Sequence, residues 1–348
     1  MTSNRQFYEM PLELALSKQT KVQLLDICRA EGVVRVSRLS KGELVGKLVE
    51  ELPGKISEKM LHWDQQTYDL MEYMAKEEDP VYPFDPEDCD NVEEYFLQEA
   101  IGFPFHIVKG GYGLDTLMVP QVFQELFLYL DGARYRKLIK ANTQILRTVK
   151  GLLHYYGCLE PGETIEILNH SADKPLDVEN ILGVLFEVGP YTWDILYENG
   201  LFIDGRMLKL PYILKERNNR PDLEYRKLSL EQLWQAGDPS FHETTPEMQA
   251  LADFFRGRAP VDQTNELLYA LFGLMQTDLL PSEIVPGVAD FLKLESAEDM
   301  GRLTFLILAC YNATPLWILK GHTPAQIAAE PINNLHDLTP KKKVGRNA

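Results

Sequence analysis

The chain is poor in the features that mark several protein classes. Its 348 residues contain only four cysteines, Cys28, Cys89, Cys158 and Cys310, far apart and without a CxxC pair. That spacing spells neither a zinc knuckle nor a disulfide framework, so buried free thiols are expected. The longest unbroken apolar runs, Phe305 to Tyr311 and Leu267 to Met275, reach about half of the roughly 20 residues that a membrane span requires. The opening MTSNRQFYEM lacks the basic-then-apolar order of a secretory signal. A soluble, cytoplasmic protein with no membrane partner is therefore expected. Also missing are GxxxxGK[ST], GxGxxG after a strand, HExxH and GxSxG. Nothing spells nucleotide hydrolysis, dinucleotide binding, zinc proteolysis or a hydrolase nucleophile. The expectation is a non-enzymatic protein with no cofactor and no metal.

Two local features look chemical and have plainer readings. The acidic run Asp85 to Asp90 lacks the glycine and terminal glutamate of a calcium loop, and reads as a helix start beside prolines. Lys109 to Gly113 could approach a phosphate, but paired glycines between alternating segments read as a turn needing positive φ.

Basic residues are in short supply overall. The 35 Lys and Arg face 52 Asp and Glu, for a net charge of −17, which argues against a chain that coats nucleic acid with its whole surface. The deficit is uneven. Between residues 17 and 49 stand Lys18, Lys21, Arg29, Arg35, Arg38, Lys41 and Lys47 against Asp26, Glu31 and Glu43, so this stretch carries +4 and the remainder −21. Thr20 with Gln23, and Ser40 with Glu43, match the capping box, and apolar residues at helical spacing follow each. Two short helices joined by an extended segment are predicted.

The residues T-K-x-x-L-L-x-I-C-x-x-x-G at Thr20 to Gly32 and L-S-K-x-E-L-V at Leu39 to Val45 resemble the small N-terminal domain of transcription termination factor Rho and the related SAP fold. The resemblance covers about a tenth of the chain. In such modules the basic loop and second-helix start commonly contact nucleic-acid backbone, which implicates Arg35, Arg38 and Lys41, with Lys18 and Lys21 near the first cap. Helix-start amides with Lys or Arg make a physical phosphate site. Solvated charge on a module used for protein contact is the other reading.

Further along, residues 56–76 read as a helix, Asp90 and Glu93 cap another, and GFPFHIV, KGGYG and DTLMV read as a β-hairpin. The order recurs more clearly in a long helix over 133–156, two short helices over 164–169 and 178–186, and a hairpin on an Asn199-Gly200 turn. Both orders fit winged-helix units. The third helix of the second unit, DVENILGVLF, has no Arg, Lys or Gln to read a base edge, so a structural or protein-binding wing is expected there. On the long helix, Arg136, Lys140, Thr143, Arg147 and Lys150 share one face and Leu138, Asn142, Ile145, Val149 and Leu152 the opposite one. The basic stripe fits either a phosphate track or pairing with acidic neighbours.

From Ser229 helical patterns follow in close succession and predict a bundle. Trp317 is expected as a packed anchor and His322 as a hydrogen-bonding turn residue. The segments Asn312 to Trp317 and Leu319 to Pro324, with Lys343-Val344-Gly345-Arg346-Asn347, resemble the end of bacterial proteins carrying a C-terminal SEC-C motif. Every zinc-ligating residue of that motif is absent, so no metal is implied.

The expected fold is mainly α with short β-hairpins. Its parts are a Rho- or SAP-like module (1–54), two winged-helix-like units (55–131 and 132–228), an α-helical bundle (229–338) and a basic tail (339–348). The expected role is a nucleic-acid-associated protein that binds DNA or RNA backbone through Lys18, Lys21, Arg35, Arg38, Lys41, Arg136, Lys140, Arg147 and Lys150. The alternative is a protein–protein adaptor built on the winged-helix and bundle surfaces.

Overall fold

A computed structural model describes residues 10–77, 82–85, 88–109, 112–171, 177–238, 241 and 243–329. The basic tail 339–348 lies outside the described residues. Among those described are seventeen α-helices and two three-stranded antiparallel sheets, the mainly helical class with hairpins that the patterning indicated. The chain forms two compact units, one from residues up to 154 with 158–205 and 229–241, the other from 155–157, 206–228 and 242 onward.

The first unit opens with α1 (Leu12–Lys18), α2 (Lys21–Ala30) and α3 (Lys41–Met60). Both capping boxes form, at Thr20 and Ser40. Helix α3 runs through Pro53 and past the predicted module end at residue 54. Its stripe Leu44, Leu48, Leu52, Ile56 and Met60 is fully buried. Burying Ile56 and Met60 is worth about 1.5–3 kcal/mol each, enough to offset a proline penalty of about 3 kcal/mol.

The predicted helix over 56–76 is broken. Met60 ends α3, and α4 (Gln65–Lys76) starts afresh on Asp64, whose carboxylate accepts from the Thr67 amide at 3.0 Å and from the Trp193 indole at 2.8 Å. Next come β1 (Tyr82–Pro83), α5 (Asn91–Gln98), β2 (Phe103–Lys109) and β3 (Tyr112–Met118). The sheet order is β1-β3-β2. The glycine turn of this hairpin lies outside the described residues. Helix α6 (Gln121–Leu130) then buries Phe123 and Phe127 against α3 and α4.

Helix α7 (Ala133–Tyr156) has the predicted bounds and buries Asn142, Ile145, Val149 and Leu152. After it come β4 (Cys158–Leu159), α8 (Pro161–Ser171), α9 (Val178–Glu187), α10 (Gly189–Thr192), β5 (Ile195–Glu198) and β6 (Leu201–Asp204). Their sheet order is β4-β6-β5, the same topology as the first sheet. Asn199 and Gly200 both take positive φ, 53° and 83°, as a two-residue hairpin turn requires. Helix α10 ends at Thr192, so the first strand of this hairpin starts only at Ile195. Helix α11 (Leu210–Asn218) belongs to the second unit, and α12 (Leu230–Ala236) returns to the first.

The second unit holds α13 (Pro246–Phe255), α14 (Val261–Gln276), α15 (Pro281–Phe291) and α16 (Ala297–Ala313), followed by a 3-10 turn and α17 (Pro324–Ala329); a bundle was expected from residue 229, but α12 at its start belongs to the first unit. Leu251, Phe255, Met275, Leu303, Ile307 and Cys310 form its centre. The stretch Ala297–Leu319 is long and apolar enough to cross a membrane by length and composition, although no unbroken apolar run inside it is that long; 56% of its key window is buried within the protein, as for the core helix of a bundle. Trp317 is fully buried, with neighbours outside the four bundle helices. Its carbonyl accepts from the Arg217 guanidinium at 2.8 Å, and a side chain at Gly157 would strike its ring. His322 holds the Glu224 carbonyl through Nε2 at 3.2 Å.

Candidate nucleic-acid interface

The cations of the N-terminal helices gather at one end because α2 and α3 run parallel. The charge of Lys21, at the start of α2, acts on Glu43 at the start of α3; farther along, Cys28 feels Lys47 and Glu51, and Glu31 meets Lys59. Each step forward on α2 matches a step forward on α3. The connecting segment 31–40 must therefore travel back along the pair. Gly32 and Arg35 take φ of 62° and 63° to make that return. Both helix starts thus face the same way, with Lys21 and Lys41 at their first positions and Lys18 at the end of α1 just before. Arg38 sits two residues before the second cap.

Lys18, Lys21, Arg35, Arg38 and Lys41 are all exposed, and none has an ion-pair partner among the described residues. The Gln23 and Glu43 side chains already satisfy the cap amides, and the bonds from Ser40 hold the Glu43 carboxyl below its usual range. The positive character of this end therefore rests on its side chains, aided by the aligned peptide dipoles.

The stripe on α7 is placed differently. Arg136 binds Asp131 through two nitrogens, both at 2.8 Å, and these bonds hold the Asp131 carboxyl far below its normal range despite its burial. Thr143 accepts from the Gln65 amide at 2.9 Å. Arg147 reaches Asp238 at 2.7 Å and the Trp234 carbonyl at 2.8 Å, and stacks 4.7 Å from the Trp234 ring centre. Lys150 lies 3.5 Å from buried Asp204 and 3.9 Å from Asp194. Of the four cations named on this stripe, only Lys140 is exposed without an acidic partner among the described residues. Arg134 and Lys137 share that condition, so the open cations of α7 form a line at its first turns, Arg134, Lys137 and Lys140. Counting charges along one face could not separate them, since the neutralising acids come from distant parts of the chain. Replacing Arg147 with Met is expected to cost about 1 kcal/mol of stability, from a half-buried ion pair and its ring contact, read by urea denaturation.

A buried polar knot fixes the far end of α2 to the rest of the unit. The Lys59 ammonium lies 3.1 Å from Glu31 and 3.5 Å from Glu187, and also binds Glu99. Tyr95 donates to Glu187 at 2.7 Å and accepts from the Trp63 indole at 2.9 Å, while Tyr191 donates to Glu99 at 3.1 Å. These groups come from the caps that end α2 and α5, from α3, α5, α9 and α10, and from the turn after α3. Burial opposes the Lys59 charge, but the three carboxylates outweigh it and raise the lysine pKa. Burial also pushes the Glu31 and Glu187 carboxyls up, against the pull of Lys59.

Comparison with protein-family models, curated proteins and solved structures finds no match to this chain.

Proposed function

We propose that this is a nucleic-acid-associated protein without catalytic activity, which grips phosphate backbone with the basic end of its N-terminal helix pair. The observation that carries the reading is the gathering of Lys18, Lys21, Arg38 and Lys41 around two parallel helix starts, exposed and without an acidic partner among the described residues, in a chain of net charge −17. Backbone binding needs side chains of this kind and reads no base. Parallel capped helices with an extended return support a Rho- or SAP-like module. The repeated order of helices, third-strand addition and hairpin, with outer strands flanking the last one, supports two winged-helix units. Arg134, Lys137 and Lys140 extend the basic surface on α7 in this reading; Arg136, Arg147 and Lys150 serve the fold.

The test is binding of single- and double-stranded DNA and RNA across a salt series, with the triple variant Arg35→Glu, Arg38→Glu and Lys41→Glu alongside. Affinity should fall with rising salt, and the variant should bind at least about tenfold more weakly with a shallower salt slope. Unchanged affinity, or no binding at low salt, overturns the proposal.

A further inference from the structure

Helix α9 turns an apolar arc to solvent. At 100° per residue, Ile181, Val184 and Leu185 point into the core, Asn180 reaches Asn142, Gly183 lies against the His62 ring and Glu187 enters the Lys59 knot. The remaining arc of about 100° holds Val178, Leu182, Phe186 and Glu179. Val178 is 44% exposed and Phe186 46%. Phe186 packs edge-on against Tyr197 of β5, ring centres 5.0 Å apart, and Tyr197 is itself 49% exposed. The helix arc and the hairpin therefore make one surface, with a half-exposed aromatic pair where they meet. A helix normally gives such an arc to charged residues.

The stretch of chain that builds this surface carries charge of one sign. From Asp177 to Asp204 the chain has six acids and no Lys, Arg or His. Asp204, Asp194 and Glu187 are committed to Lys150 and Lys59. Asp177 and Glu179, at the start of α9, remain exposed beside the apolar arc, with no cation in ion-pair reach among the described residues. A phosphate backbone would be repelled, whereas Lys or Arg of a partner would meet these two carboxylates as countercharge.

We infer that the α9–β5 surface docks a basic amphipathic segment of another protein, its apolar side on Val178, Leu182, Phe186 and Tyr197 and its Lys or Arg side chains toward Asp177 and Glu179. Half-exposed aromatics supply the central contact, and rim charges select the partner's sign and speed its approach. The surface is separate from the basic end of α2 and α3, so the inference does not depend on nucleic-acid binding.

The probe is a labelled 16-residue helical peptide with leucine along one side and lysine along the other, titrated with the full chain and read by fluorescence anisotropy. Controls are its Lys-to-Glu counterpart and a lysine–serine peptide of equal charge. The basic amphipathic peptide should bind saturably and at least about tenfold more tightly than either control. The exposed charge reversal Glu179→Lys, and separately Phe186→Ser, should each weaken it about fivefold or more, while Glu266→Lys with Glu295→Lys in the bundle should not. The charge-reversal variant changes an exposed group only and keeps the test open if Phe186→Ser fails to fold. Three results overturn the inference. These are equal binding of the lysine–serine peptide, indifference to both surface variants, and a concentration-dependent dimer of the chain that Phe186→Ser abolishes.

Discussion

Lys59→Met is expected to destabilise the first unit by about 3 kcal/mol at neutral pH, because it strands three carboxylates around a buried site that keeps only tyrosine donors. The Lys59 side chain is 17% exposed and those of Glu31, Glu99 and Glu187 are 3%, 16% and 18% exposed, so water cannot replace the lost ammonium well. The sign with pH follows from the carboxyls. Burial already raises Glu31 and Glu187 above their ordinary value of 4.5, and removing the lysine takes away the main influence holding them down. A carboxyl whose folded pKa is raised supports folding below its unfolded pKa and loses that support as pH rises through the folded value. The deficit of the variant should therefore be small below the ordinary carboxyl value and grow as pH rises through the raised folded values. Urea midpoints measured at several pH values check this. Adding Glu187→Gln to Lys59→Met should recover part of the loss at neutral pH; a deficit independent of pH would show that the knot does not hold the charges described.

Gly151→Ala should cost about as much, at the upper end of the roughly 1–3 kcal/mol for overpacking. The new methyl carbon would lie 2.0 Å from the Leu233 carbonyl oxygen, and on the facing helix a methyl at Gly237 would lie 1.8 Å from the Arg147 carbonyl oxygen. The two glycines let α12 and α7 approach backbone to backbone, and a carbonyl cannot step aside as a flexible side chain can. Gly46→Ala is the matched control. It too is helical, but open space surrounds it, so alanine should stabilise by about 1 kcal/mol through helix propensity alone. Thermal or urea unfolding of the two variants should show shifts of opposite sign.

The legible parts of the fold were those written in short-range pattern. Thr20, Ser40 and Asp90 cap the helices expected of them, because a capping bond joins residues two or three apart. Helix α7 and the Asn199-Gly200 hairpin were equally plain. The elements that went unread depend on distant partners. Strands β1 and β4 are two residues each and exist only because β3 and β6 offer an edge. The break between α3 and α4 is hidden by continuous apolar spacing. It is held by Asn142, whose amide donates to the Leu61 and Trp63 carbonyls at 2.9 Å, and by Asp64 accepting from Trp193. Helices α6 and α11 lack a side-chain capping bond at their starts and so gave no local signal.

The sequence by itself determined the helical class, the N-terminal caps, the Asn199-Gly200 turn and the concentration of positive charge near the N-terminus, all properties of residues close in the chain. It also set the bare acidity of residues 177–204. Only the tertiary structure decided which cations stay open. The spacing of Arg136, Lys140, Arg147 and Lys150 placed them on one face, but Asp131, Asp238 and Asp204 reach three of them from separate elements. The parallel course of α2 and α3 instead leaves Lys18, Lys21 and Lys41 together and exposed. Electrostatic pairing acts through space, over a few ångströms, between groups that can be ninety residues apart, and no period along the chain records it.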